Sequence, residues 1–247
     1  MTGKRSYGQF CGLAAGLNVI GERWALLVVR ELLIGPARFN ELLANLPGLG
    51  PNLLSDRLRA LTDHGVIEAA PVPGDGRGRQ YRLTPRGEQL REPLLSLARW
   101  GMPFLTEEDA TSGCARAAWG FLAVQAMIQG RPVHGVDEAY EFRVADEVFH
   151  IEVRDGTAAT RRGPAAEPAL VVTTDADTFV RIGAEMRTPF EALLSGRLRI
   201  DGHYDAVQRC MEFMGLLDAP RRPAPAGAPP AASTAASTVA STGSGSV

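Results

Sequence analysis

Between Pro51 and Gly65 the chain reads PNLLSDRLRALTDHG, a run whose side chains sort by chemistry around a helix. At about 100° per residue, Leu54, Leu58 and Leu61 gather on one side. Asn52, Ser55, Asp56 and Arg59 fall on the other, with Arg57 on the flank. Asn and Arg grip adenine and guanine edges through paired hydrogen bonds, while Ser55 and a helix N-terminus suit phosphate. Asp56 would repel phosphate, so it is read as orienting Arg59 or Arg57, or as accepting from a cytosine amino group. Arg77 and Arg79 stand in PVPGDGRGR, expected to be a mobile loop with both arginines at its tip, within reach of phosphates or a minor groove. Arg38, Asn40 and Pro51 complete the candidate DNA-contacting set. Alone, Arg59 reads as a solvated surface arginine; its setting argues for a duplex.

That setting is a series of short helices. Leu13, Leu17 and Ile20 form one apolar stripe. Trp24, Leu27, Val28 and Leu32 form a second, interrupted by Glu31, and Gly35-Pro36 stops it. Ala37 to Leu46 reads as a third helix with Phe39, Leu42, Leu43 and Leu46 inward. Pro47-Gly48-Leu49-Gly50 is a tight turn, Pro51 suits a first helical position that needs no N–H, and Gly65 closes the helix. Short helix, turn and amphipathic helix form the helix-turn-helix layout, which offers the second helix's N-terminal polar residues to a major groove about 12 Å wide. Strands at Val66 to Ala69 and Gln80 to Thr84 would flank the arginine loop as a wing. Gly87 to Leu105 reads as a further helix whose Leu90, Leu94, Leu97 and Trp100 face is expected to pair with a second subunit.

Several segments in order carry a resemblance: Val19 to Trp24 (VIGERW), Arg30 to Leu42 (RELLIGPARFNEL), Pro51 to Leu58 (PNLLSDRL), Tyr81 to Gly87 (YRLTPRG) and Trp100-Gly101. From Cys11 to Gly101 the chain resembles the HxlR family of winged-helix transcription regulators, relatives of the MarR group. The resemblance implies a dimeric DNA-binding repressor or activator. It departs where Glu68-Ala69-Ala70 stands in a strand that often carries a basic residue. Cys11 falls where some family members carry a sensing thiol; a small buried cysteine is the plainer expectation.

Beyond Thr111 a helix to Gly130 is expected, with Trp119, Leu122, Ala126 and Met127 spaced for burial. The period then becomes two around Phe142 and Val144 and around Phe149, Ile151 and Val153, followed by strands near Thr157 to Arg162, Ala169 to Thr174 and Arg197 to Gly202. Helices capped by Asp175, opened by Pro189, and running from His203 to Leu217 complete an α+β reading: an antiparallel sheet with helices on one side. LVVTTDADTF at Leu170 to Phe179 and PFEALLSGRLRIDG at Pro189 to Gly202 resemble the sterol-carrier-protein-like fold. That resemblance, over residues 113–217, implies capture of a hydrophobic small molecule. Trp119, Met127, Phe179, Met186, Phe190 and Phe213 are the candidate lining residues, although each also reads as plain core.

Catalysis finds no support. His64, His134, His150 and His203 lie far apart without metal-ligand spacing, and no nucleophile elbow, phosphate loop or dinucleotide glycine pattern occurs. Asp201 and Asp205 beside His203 read as caps. No cofactor or metal is expected. The 247 residues carry a formal charge of −2, which excludes a histone-like protein but hides an asymmetry. Residues 1–105 hold 13 basic and 9 acidic side chains, residues 106–218 hold 11 and 19, so only the first part suits a polyanion. Three cysteines make no disulfide framework, and no apolar run approaches the roughly 18 residues of a membrane span. The N-terminus lacks a signal-peptide pattern, and the protein is expected in the cytoplasm, with no membrane partner.

The expected organisation is a winged helix-turn-helix and dimerisation domain at 1–105, a sterol-carrier-protein-like domain at 111–218 and a disordered Ala/Pro/Ser/Thr tail at 219–247. The expected partners are double-stranded DNA with a near-palindromic site, a second copy of the chain, and a hydrophobic effector. A carrier protein that uses the winged helix only to dimerise is the alternative.

Overall fold

A computed structural model describes residues 6–133 and 135–217; Lys4, Arg5, His134 and the tail expected at 219–247 lie outside the described residues. The first half runs α1 (Gly12–Ile20), α2 (Ala25–Ile34), α3 (Phe39–Asn45), α4 (Pro51–Asp63), β1 (Ile67–Val72), β2 (Asp75–Leu83), α5 (Pro85–Glu88) and α6 (Arg91–Gly101), then a 3-10 turn at Met102–Phe104. The leucine face of α4, Leu54, Leu58 and Leu61, is buried with Val28, Val29 and Leu32 of α2 and Leu42 of α3. Gly65, at φ +67, takes the left-handed conformation that ends α4 and turns the chain into β1. The backbones of Ala37 and Tyr81 bond each other at 3.0 and 2.8 Å, tying the entrance of α3 to the wing.

Four expectations for this half change. The wing strands are longer than the sequence suggested, paired from Ile67↔Leu83 to Pro71↔Arg79 and, after a register shift, Val72↔Asp75, so the turn is only Pro73-Gly74 and residues 76–78 bulge from β2. Arg77 and Arg79 therefore ride on β2 instead of a loop tip. Asp75 explains this, because its carboxylate accepts the N–H groups of Arg77 and Gly78 at 3.2 and 2.9 Å and fixes the turn. The helix expected over 87–105 is broken: Thr84 caps the one-turn α5, and Pro93 has no N–H for the carbonyl of Gln89, so α6 starts afresh. The Leu13–Leu17 stripe faces outward.

The second half comprises α7 (Glu107–Ser112), α8 (Ala117–Ile128), β3 (Glu138–Val144), β4 (Glu147–Arg154), β5 (Thr157–Arg162), β6 (Leu170–Thr174), α9 (Ala176–Gly183), α10 (Pro189–Leu194), β7 (Leu198–Gly202) and α11 (Tyr204–Met214). In α7 Thr106 and Asp109 cap each other, and three acids in the first turn favour the helix. The helix expected from Thr111 accordingly starts later, at Ala117.

The sheet order is β5-β4-β3-β6-β7. It is mixed, not antiparallel as expected, because β3 and β6 run parallel. After edge strand β5 the chain crosses back and enters beside β3, so β6 repeats its direction. One face of the sheet buries Tyr140, Phe142, Val144, Phe149, Ile151 and Val153. There Phe142 and Phe149 stack at 5.6 Å, with Phe121 and Phe179 edge-on to Phe149 at 6.0 and 6.1 Å. Helix α8 lies between the halves, touching α2 and α6 on one side and β4 and β5 on the other. Among the described residues no single helix is long and apolar enough to cross a membrane.

Candidate nucleic-acid interface

Gly50 is the N-cap of α4 and Pro51 its first residue, leaving the helix's opening turn free of side-chain caps. Pro51 and Asn52 are exposed there, Ser55 is half-buried one turn on, and Arg59 is exposed a turn further. Arg59 Nη1 lies 3.5 Å from Asp56 Oδ1, a loose surface contact that orients the guanidinium without neutralising its reach. The outward face of α4 therefore presents the polar set read from the sequence.

Arg57 leaves that set. Its side chain is only 17% exposed, Nε donates to the Arg23 carbonyl at 2.9 Å, and Nη2 lies 3.2 Å from Glu22 Oε2. It fastens α4 to the turn between α1 and α2, a structural bond that no helical-wheel argument could show. Asn40 is exposed near the start of α3. Beside it, Arg38 is exposed and joined across to the wing, with Nη2 3.0 Å from Asp75 Oδ2. Asp75 accepts from the backbone of Arg77 and Gly78 and then from Arg38, and these hold its carboxyl below the usual range. Arg77 and Arg79 are exposed on β2. Arg82 on the same strand is occupied by Glu68 at 2.7 Å, so the acid at the departure from the family pattern has a partner.

The six residues expected to line a ligand site are dispersed. A small cavity of about 60 Å³ lies between sheet, α8, α9 and α11, lined among others by Met127, Phe142, Phe179, Met211 and Met214. Met127 and Phe179 reach it. Phe213 is core, Met186 half-buried elsewhere, and Phe190 lies on the outside of α10, 68% exposed. Trp119 turns to the first half, its Nε1 donating to Glu31 Oε1 at 2.8 Å. Cys11, expected to be buried, is exposed as the N-cap of α1, where the N–H groups of Ala14 and Leu13 lower its thiol's pKa. The residues that sequence reasoning missed are Glu31, Arg30 and Arg116; the signal was the lone acid in the apolar stripe of α2.

The pattern of the HxlR-like helix-turn-helix family matches residues 19–109. An uncharacterized HTH-type transcriptional regulator of Mycobacterium tuberculosis is 39% identical over 105 residues, 42% of this chain. The chain spans 65% of that relative's length. One from Synechocystis is 33% identical over 41% of this chain and 76% of its own length, and one from Bacillus subtilis is 33% identical over 36% and 82%.

Proposed function

The chain belongs to the HxlR-like helix-turn-helix family, and on that premise we propose that it is a sequence-specific DNA-binding transcription regulator, a repressor working as a homodimer. One observation carries the reading: α4 buries its leucines while Pro51, Asn52 and Arg59 stay exposed, and Arg38 at the N-cap of α3 and Arg77 and Arg79 on the wing are exposed as well. Asn52 and Arg59 read base edges; Arg38, Arg77 and Arg79 take phosphates, with Ser55 at their side. Residues 1–105 form the DNA-binding and dimerisation unit. Dimerisation is supported by the apolar side chains left in water there, Leu13 on α1 and Leu97, Trp100 and Phe104 at the end of α6. A two-fold dimer fits a near-palindromic operator with half-sites about 10 bp apart or a multiple.

Residues 111–218 form the effector unit, sterol-carrier-protein-like in its helix-covered sheet. The methionine-lined cavity supports an apolar effector, since thioethers adapt to varied shapes. At about 60 Å³ it takes only a small group or the end of a longer chain without rearrangement, which argues against a dedicated carrier. An effector that fits one dimer spacing better than another shifts operator affinity through linkage. The test is a mobility shift with DNA upstream of the protein's own gene. Affinity should fall by about 10³ to 10⁵ between 50 and 200 mM salt if some 6–10 phosphates are contacted. Binding unaltered by combined Arg59→Ala and Arg77→Ala would refute the assigned surface.

A further inference from the structure

Glu31 lies in the middle of α2, its side chain 2% exposed at the junction of the two halves. A buried carboxylate persists only when charge and hydrogen bonds replace its water. Here Arg30 donates to Oε1 from Nε and Nη2 at 3.1 and 2.9 Å, and the Trp119 indole N–H donates to the same oxygen at 2.8 Å. Arg116, the N-cap of α8, donates from Nη1 to Oε2. The Arg30 guanidinium also stacks over the Trp119 ring at 3.9 Å. Two of these groups belong to α2 and two to the start of α8.

Both helices lead elsewhere. From Glu31, α2 continues into the core it shares with α4 through Val28, Leu32 and the α4 leucines. From Trp119, α8 runs two turns on to Met127 at the cavity. An apolar contact at this junction would tolerate sliding, whereas a carboxylate with four donors aimed at it accepts one arrangement.

We propose that Glu31 is a positioning residue for DNA reading: by clamping the start of α8 onto α2 it sets α4 from the second half of the chain, and through it a change at the cavity alters operator affinity. The link to operator affinity rests on the regulator reading above; the transmission from α8 to α4 does not.

Nuclear magnetic resonance on the full chain separates the two. In Glu31→Gln, backbone resonances of α4 should move together with those of α8 and the Trp119 indole signal. Arg91→Gln, which breaks a different contact between the halves (Arg91 Nη1 to Gln125 Oε1, 3.1 Å), should leave α4 in place. Trp119→Phe removes one donor with little change of shape, and it serves if Glu31→Gln does not fold. Glu31→Gln and Trp119→Phe should each weaken operator binding about tenfold, and together no more than the stronger one, as parts of one linkage do. Unmoved α4 resonances in both variants, or an α4 that responds equally to Arg91→Gln, would overturn the proposal. Should the wild-type protein bind no DNA, the regulator reading falls, and the α4 resonances still decide whether Glu31 transmits.

Discussion

Asp75 at the start of β2 and Arg38 at the N-cap of α3 meet at 3.0 Å, and the same carboxylate takes the N–H groups of Arg77 and Gly78. One side chain thus braces the start of β2 and links the wing to the N-cap of α3. Because these bonds favour the charged form, the folded pKa lies below the unfolded one, near the ordinary 3.8. Their stabilisation is fully present above that value and is lost only as pH falls through the lower, folded pKa. The amide resonances of Arg77 and Gly78 should therefore titrate with a midpoint below 3.8, and Asp75→Ala should abolish that titration. A midpoint at or above the ordinary value would show that the wing is not held this way.

Arg57 and Arg59, two residues apart on α4, should fail in opposite ways. Arg57→Ala removes a charge-assisted bond to the Arg23 carbonyl, costing about 1–2 kcal/mol of stability in denaturant melts. Its direct effect on DNA affinity should be small. Arg59 is 72% exposed, so Arg59→Ala should change stability by less than about 0.5 kcal/mol. It should weaken operator binding by about tenfold or more, the loss of one base-edge contact. The reverse pattern would exchange their roles.

That pair also marks what the sequence could and could not disclose. Period and punctuation placed α4 well, since Leu54, Leu58 and Leu61 demand one buried side and Pro51 and Gly65 demand the ends. The partner of a flank arginine depends on where the α1–α2 turn comes to lie, which is tertiary information. Glu31 was visible only as a blemish in an apolar stripe, because its donors Arg116 and Trp119 stand 85 and 88 residues away. The wing erred for a local reason: Gly and Pro suggested a long loop, while one Asx turn at Asp75 sufficed. The parallel β3–β6 pair was illegible, since alternation reports burial of a strand and not its direction.

The dimer reading makes a separate demand. Trp100 is 66% exposed and lies 4.8 Å from the Phe104 ring, an aromatic pair with no cover in the single chain. Trp100→Glu should raise the dimer dissociation constant about thirtyfold or more in sedimentation equilibrium, as loss of an aromatic anchor worth about 2 kcal/mol would. The variant's melting in denaturant at low concentration should barely change, since the residue packs on little within its own chain. A wild-type chain that sediments as a monomer at every concentration would refute the pairing.

Two glycines on the buried side of the sheet separate rigid packing from soft packing. A methyl at Gly120 of α8 would approach Phe149 Cζ at 3.2 Å and Phe179 Cε1 at 3.3 Å, ring atoms held in the four-phenylalanine cluster. Rings cannot bend away, so Gly120→Ala should incur an overpacking cost of about 1–3 kcal/mol. Helix propensity returns at most about 1 kcal/mol of that. At Gly183 of α9 the nearest atom is Met102 Cε at 3.2 Å, the free end of a flexible chain. Gly183→Ala should leave stability within about 0.5 kcal/mol of wild type, because Met102 moves aside at little cost. Chemical denaturation of the two variants checks the contrast. Equal stability would mean that the aromatic cluster yields as readily as a thioether.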